Sequence, residues 1–251
     1  MAPTSSWQVD YGENTCKLAR KFGREGEGVL LIIETMTPGD IFKITVLGSG
    51  VPSSTVSKLA YAVLPHGISR EAKAKSTRST DGAPGIILYR APLTTDGQPR
   101  NGRGPASDLE RAAQAETMTI GKLQLATGEL AGPLKALQAC VDDLLASHGL
   151  TPEESANFAV PIGDAGYWIT SHDVRGSLFV PGANLTVLFK VDVGREGEPT
   201  GFTVIKASES KIFDRTVSKT MMKRARFHPI LDGEGNPVPG VWVGSASFAA
   251  N

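Results

Sequence analysis

The chain has 251 residues, of which 40% are hydrophobic and 21% charged, a composition typical of a folded protein with one large or two modest domains. Its 26 basic and 26 acidic side chains cancel, which argues against a general nucleic-acid binder, because such proteins carry a basic surplus. No apolar run approaches the roughly 18 residues that span a bilayer, so we expect no membrane span.

The first half of the chain is predicted to be an antiparallel β-meander, because short apolar or alternating runs are separated by turn-forming residues. The predicted strands are residues 7–10, 15–22, 28–36, 41–48, 57–64 and 86–90. Two polar stretches, 69–85 and 94–107, are predicted to be mobile loops, because neither has enough apolar surface to order itself.

A helix is predicted to close this β-rich region. Pro133 suits its first turn, Gly149 suits the position after its last turn, and apolar residues repeat between them at intervals of three and four. The apolar stripe consists of Leu134, Leu137, Val141, Leu144 and Leu145. A short second helix is predicted to end near residue 158, since Thr151 and Glu154 match a capping box.

The chain has two cysteines, Cys16 and Cys140. Two free buried thiols in a reducing compartment and one long-range disulfide in an oxidising compartment both fit this count. Cys140 lies one helical turn from Leu137 and Leu144, so it points toward the apolar stripe, from where it can reach the β region that holds Cys16. We predict a Cys16–Cys140 disulfide. No metal site or cofactor is expected, because two isolated cysteines and four scattered histidines have no ligand spacing.

The C-terminal residues have the clearest pattern, and it predicts strand, turn, strand, helix and strand. Apolar residues alternate from Leu185 to Val193, and a second strand is predicted at 201–207. Ser208 or Ser210 can cap a helix over residues 211–226. The predicted buried stripe of this helix is Phe213, Val217, Met221 and Ala225. A last strand is predicted at 241–249.

Four motifs of this tail, in the same order, resemble the C-terminal domains of TonB proteins. They are the alternating strand from Leu185, the Phe213-Asp214 pair, the run from Lys223 to Pro229, and the run from Asn236 to Gly240. The resemblance covers roughly residues 183–251 and implies a three-stranded antiparallel sheet with one helix. In that family, an extended segment of an outer-membrane receptor pairs with a free sheet edge. The resemblance places this edge on Val241, Trp242, Val243, Gly244, Ser245, Ala246 and Ser247.

The expected fold class is therefore α+β, with a β-rich antiparallel N-terminal domain and closing helices at 1–158, a connector at 159–182 and a TonB C-terminal-like domain at 183–251. The expected function is non-enzymatic. The tail would bind a protein partner, either an outer-membrane receptor segment or another envelope protein, in a role related to TonB-dependent transport. The expected location is the periplasm, with the chain as the mature form of an exported protein; a cytoplasmic protein is the alternative.

Two other functions fit the sequence. An enzyme could have its site in the N-terminal domain or in a cleft between domains, with titratable groups near His66 or His172, although no complete catalytic motif is present. The tail helix also carries a basic stripe that could bind anionic lipid headgroups or a cell-wall polymer. This stripe consists of Lys211, Arg215, Lys219, Lys223 and Arg226.

Overall fold

The computed structural model describes residues 1–24, 26–39, 41–51, 57–64, 69–93, 116–163, 165–174 and 184–249. They form two compact units, Met1–Ser147 and His148–Asn251. Each unit combines antiparallel strands with helices, so the predicted α+β class is confirmed. No helix in the described part of the chain is long and apolar enough to cross a membrane.

The first unit is built on a nine-stranded antiparallel sheet. Its strands are β1 (Gln8–Tyr11), β2 (Cys16–Phe22), β3 (Val29–Thr35), β4 (Ile41–Gly48), β5 (Lys58–Leu64), β6 (Arg70–Arg78), β7 (Pro84–Pro92), β8 (Thr117–Ile120) and β9 (Leu123–Leu125). They lie in the order β1-β2-β3-β4-β7-β6-β5-β8-β9. The residues before β1 join the two ends of this sheet, because the amide of Thr4 donates to Lys21 in β2 while the amide of Ala126, just after β9, donates to Met1.

The alternating residues of the central strands form the core of the first unit. Leu31 and Ile33 in β3 and Ile44 and Val46 in β4 are fully buried, and the residues between them are half-buried. Helix α1 (Ala131–Ser147) buries its predicted apolar stripe and contacts β1 and β2. The predicted disulfide is present: Cys140 of α1 is bonded to Cys16 at the start of β2.

The prediction of a mobile loop at 69–85 was wrong. Strand β6 pairs with β5 on one side and β7 on the other, so its backbone groups find ladder partners despite its polar composition. Ala72 and Ala74 point to the buried face, while Glu71 and Lys73 are exposed. The alternation was in the sequence, but alanine is a weak hydrophobic signal beside so many lysines and arginines. The other predicted loop, 94–107, lies outside the described residues.

The hairpin of β8 and β9 was not predicted at all. Its two-residue turn contains Gly121 at a positive φ of 57°, a conformation that glycine adopts without strain. Met118, Ile120 and Leu125 are buried. Strands of three or four residues are too short for an alternating pattern to stand out, which explains the omission.

The second unit contains a three-stranded antiparallel sheet and short helices. Its elements are α2 (Pro152–Ala156), a 3₁₀ turn (Ala165–Tyr167), α3 (Ser171–Val174), β10 (Asn184–Val193), β11 (Pro199–Lys206), α4 (Lys211–Arg224), β12 (Ile230–Leu231), β13 (Pro237–Val238) and β14 (Gly240–Ala249). The capping box predicted for α2 is confirmed, with Thr151 and Glu154 bonded reciprocally. Ser210 caps α4, as one of the two predicted serines.

The core of the second unit lies between β10 and α4. The alternating residues from Leu185 to Val193 form one buried cluster with the predicted helix stripe. The stripe residues Phe213, Val217, Met221 and Ala225 are at most 1% exposed. The sequence therefore predicted the central contact of this unit correctly.

The boundary between the units differs from the predicted division after residue 158. Residues 148–158 belong to the second unit, where Glu154 of α2 bonds to Lys190 of β10 and Asn157 accepts from Val241 of β14. These contacts join residues far apart in the chain, so a pass along the sequence had no local signal for them.

Removing the disulfide is expected to destabilise the first unit selectively. The bond closes a loop with a sequence separation of 124, and losing it should lower the free energy of unfolding by about 4 kcal/mol, because the unfolded chain gains conformational freedom. The test is native-state hydrogen exchange of the Cys16→Ala/Cys140→Ala variant. The amide of Leu31 should lose protection while that of Val187, in the second unit, keeps it. Unchanged protection at Leu31 would contradict the prediction.

Candidate functional site

Strand β14 lies at one edge of the three-stranded sheet, whose order is β11-β10-β14. Its register with β10 runs without interruption from Asn184 opposite Ala249 to Val193 opposite Gly240. In such a ladder, the backbone groups of alternate residues face the neighbouring strand, and those of the residues between face away from it. The regular register therefore fixes which backbone groups of β14 point outward.

The hydrogen bonds of Val241 show which residues of β14 direct their backbone groups away from β10. Its amide donates to the carbonyl of Asn157 at 3.1 Å, and its carbonyl accepts from the amide of Ala159 at 2.7 Å. Both of its groups therefore point away from β10. By alternation, the backbone groups of Val243, Ser245 and Ser247 also point away from β10. The backbone groups of the other predicted edge residues point toward β10; these residues are Trp242, Gly244 and Ala246.

The first part of this edge is already occupied. Residues 157–162, here called the strap, run beside the start of β14, with Phe158 forming a parallel bridge to Val241. Val243 is only 1% exposed, whereas Ser245 and Ser247 are exposed. The accessible edge is thus shorter than the predicted span of Val241 to Ser247, and it begins at Ser245. The strap was missed because its bonds to β14 and to the end of α4 are all long-range.

Strand β11, at the other edge of the sheet, is less regular. It begins with Pro199, which has no amide to donate, and its register with β10 shifts at both ends. Proline and bulges are features that protect sheet edges from unwanted pairing. Strand β14 has neither within its ten residues.

An aromatic cluster supports the helix-facing side of β14. The indole of Trp242 lies 5.8 Å from the rings of Trp168 and Phe227 and 5.9 Å from that of Phe189, measured between centroids. It also lies over Gly244, where a Cβ would collide with the indole. Trp242 therefore packs within the unit and stiffens the strand from one side.

The strap is fixed by contacts at several points. Lys190 of β10 donates to Glu154 of α2 at 2.7 Å, a contact that lowers the pKa of Glu154 and raises the pKa of Lys190. His228 donates its amide to Val160, and Ile162 donates its amide to Arg226. Phe158, Ala159 and Val160 are all buried.

A comparison with known protein families finds a match for the part of the chain that forms this sheet and helix. The family model described as the Gram-negative bacterial TonB protein C-terminal matches residues 182–244. The C-terminal unit contains a TonB C-terminal-like domain. The match points to a protein of the Gram-negative envelope linked to TonB-type systems. No curated protein and no solved structure matches the chain. The strap lies outside the matched residues.

The predicted basic stripe lies on the solvent side of α4 in the TonB C-terminal-like domain. Its five side chains are exposed, and none forms an ion pair with another described residue. Arg226 donates to the backbone carbonyls of Lys223 and Ala225 at the end of the helix. The five predicted side chains are therefore exposed, but Arg226 lies beyond the end of α4, and the role of this surface stays a prediction.

Of the two histidines named above for an enzyme site, His172 lies among the described residues. Asp173 accepts from both terminal nitrogens of Arg224 and from Thr170, and it has no bond to the neighbouring His172. His66 lies outside the described residues. Among the residues that are described, no group of three histidine, cysteine or acidic side chains could hold a metal ion.

The bond between Asp173 and Arg224 attaches the end of α4 to α3. Arg224 also donates to the carbonyl of Trp168, at 3.1 Å, so it links the helix to the aromatic cluster. The guanidinium of Arg224 and then the hydroxyl and amide of Thr170 lower the pKa of Asp173 well below its ordinary range. The ionised carboxylate is therefore the form that the fold favours.

This pair predicts a pH dependence for the unfolding of the second unit. Because the folded-state pKa of Asp173 is depressed, its contribution is complete above the ordinary carboxyl pKa of about 4 and is lost as the pH falls below it. Wild type should be more stable than Asp173→Asn near neutral pH, and the difference should shrink under acidic conditions. Denaturant unfolding at a series of pH values measures this. A difference that does not change with pH would show that the charge is not responsible.

Proposed function

We propose that the C-terminal unit binds an extended segment of a partner protein by adding it as a further strand beside β14. The observation that carries this proposal is the regular outer edge of β14, where Ser245 and Ser247 are exposed and direct their backbone groups away from β10. Such an edge supplies main-chain donors and acceptors to a visiting strand. The contrast with β11, which has a proline and register shifts, favours β14 as the binding edge.

The proposed location is the periplasm. The Cys16–Cys140 disulfide supports this, because such bonds persist in oxidising compartments and are rare in the cytosol. The family match supports a Gram-negative envelope. The proposed partner is the periplasmic segment of an outer-membrane receptor or another envelope protein, in a role related to TonB-dependent transport, and we propose neither catalysis nor a cofactor.

Replacing Ser245 with proline is expected to block docking without unfolding the sheet. Proline removes an outward amide that does not bond to β10, and proline is tolerated on edge strands. Affinity for a partner strand should fall about tenfold, since at least one main-chain hydrogen bond is lost and the ring hinders pairing. The matched control is Ser245→Ala, which keeps the amide and should bind like wild type.

The measurement is a titration of the ¹⁵N-labelled full chain with capped ten-residue peptides copied from the periplasmic N-terminal segments of outer-membrane receptors. Amide signals of Ser245 and Ser247 should shift in wild type and in Ser245→Ala, and those of β11 should not. If no peptide perturbs the β14 amides, or if Ser245→Pro binds as well as wild type, edge pairing is not the function.

The exposed basic face of α4 favours a second candidate, the binding of anionic lipid headgroups or a cell-wall polymer. Lysines near an anionic surface contribute about 1 kcal/mol each, so Lys219→Glu/Lys223→Glu should weaken binding to phosphatidylglycerol vesicles at least tenfold. The matched control is Lys75→Glu/Lys122→Glu, which makes the same change of net charge at exposed positions of the first unit. Equal binding by the two double variants would rule out a specific role for α4. High salt should abolish this binding, unlike edge pairing.

A further inference from the structure

The strap occupies the same edge that the proposed function assigns to a partner. Its residues 157–159 pair with Val241 through two backbone hydrogen bonds, in parallel with β14. This is the geometry of β-augmentation carried out by the chain itself. The strap thus occupies the beginning of the proposed docking edge through one parallel bridge.

We propose that the strap is a fixed stop, which limits a partner to pairing with residues 245–249 of β14. This inference rests on the proposed function and specifies the kind of partner that it admits: a short extended segment of about five residues. A partner that needs a longer ladder would have to displace the strap.

The contacts of the strap favour a fixed element over a displaceable one. Its middle residues, Phe158, Ala159 and Val160, are 2%, 1% and 6% exposed, so displacing them would expose apolar surface to water. After leaving β14, the strap bonds to the chain around Phe227 through the amides of His228 and Ile162. Helix α2, which directly precedes the strap, is attached to β10 by the ion pair of Glu154 with Lys190.

The lack of a side chain at Gly240 allows the strap to lie close to the start of β14. A Cβ at this position would collide with the carbonyl oxygen of Asn157 and with the side chain of Ile230. The backbone of Gly240 is not in the left-handed region, so alanine is excluded there by lack of space and not by backbone strain. Gly240→Ala is therefore a change directed at the seating of the strap. Gly233, where an added Cβ would meet no heavy atom within 4 Å, offers a matched glycine-to-alanine control.

The first experiment follows amide hydrogen exchange in the full chain without any peptide. In wild type, the Val241 amide should exchange at least about tenfold more slowly than those of Ser245 and Ser247, because it alone donates to the strap. Gly240→Ala should accelerate exchange at Val241 by at least about tenfold, and Gly233→Ala should leave it unchanged. Protection at Val187 reports whether the variants remain folded. If Gly240→Ala loses that protection, Ala159→Pro replaces it, since it removes the amide that donates to Val241.

The second experiment compares the tightest-binding receptor peptide with its five-residue fragments. For wild type, the tighter-binding fragment should have a Kd within about threefold of that of the full peptide. The strap would prevent the other residues of the full peptide from pairing with β14. In the strap-loosened variant, the full peptide should gain affinity over the fragment. A wild-type preference for the full peptide of about tenfold, together with loss of Val241 protection on binding, would show that the strap is displaced and overturn the inference.

The two proposals fail in different ways. If no peptide binds wild type, edge docking by a partner is wrong, yet the exchange rates in the free protein still decide whether the strap holds Val241. If peptides bind but Val241 exchanges as fast as Ser245, the docking function stands and the fixed stop is wrong.

Discussion

The apolar face of β10 packs against the buried stripe of α4, and the other elements of the C-terminal unit are arranged around that contact. Burying a large apolar side chain contributes roughly 1.5–3 kcal/mol, and this interface buries such side chains from both elements. Since β10 is the central strand, its two backbone edges must be covered by β11 and β14. Among the described residues, no further strand lies beside the outer side of β11, and the outer side of β14 is paired at its start by the strap. The edge proposed for docking is thus a consequence of how the core is built.

The two outer strands differ in how regular they are, and therefore in how well a further strand could pair with them. Strand β11 follows β10 through a hairpin, and its proline and register shifts make it a poor template for further pairing. Strand β14 keeps a ten-residue ladder with β10 that has no register shift. A protein that gained nothing from an accessible edge would be expected to protect both strands. In the part of the chain that the structure describes, the covering of β14 is limited to its first residues, where the strap pairs with Val241.

The sequence predicted those features that depend on local periodicity. The β10 alternation, the α4 stripe and its serine cap, and the position of Cys140 on the apolar side of α1 were all readable, because each is a pattern within one element. Strand β6 was misread because alanine carries its buried face, and its order comes from neighbours on both sides. The strap could not be predicted, since Phe158 and Val241 are brought together only by the folded chain. The predicted edge of Val241 to Ser247 therefore included residues that the strap covers, and the role of this edge in docking stays a prediction.

In the first unit, the two ends of the sheet are joined to each other. Hydrogen bonds from the N-terminal residues join β2 to the region of β9, so the two ends of its sheet are connected. Closing a sheet removes the unpaired backbone that a visiting strand requires. The disulfide then holds α1 to β2, and the helix contacts both β2 and the outer strand β1. Among the described residues, the regular edge of β14 beyond the strap lies in the TonB C-terminal-like domain, which is why the docking proposal concerns that unit and not the first one.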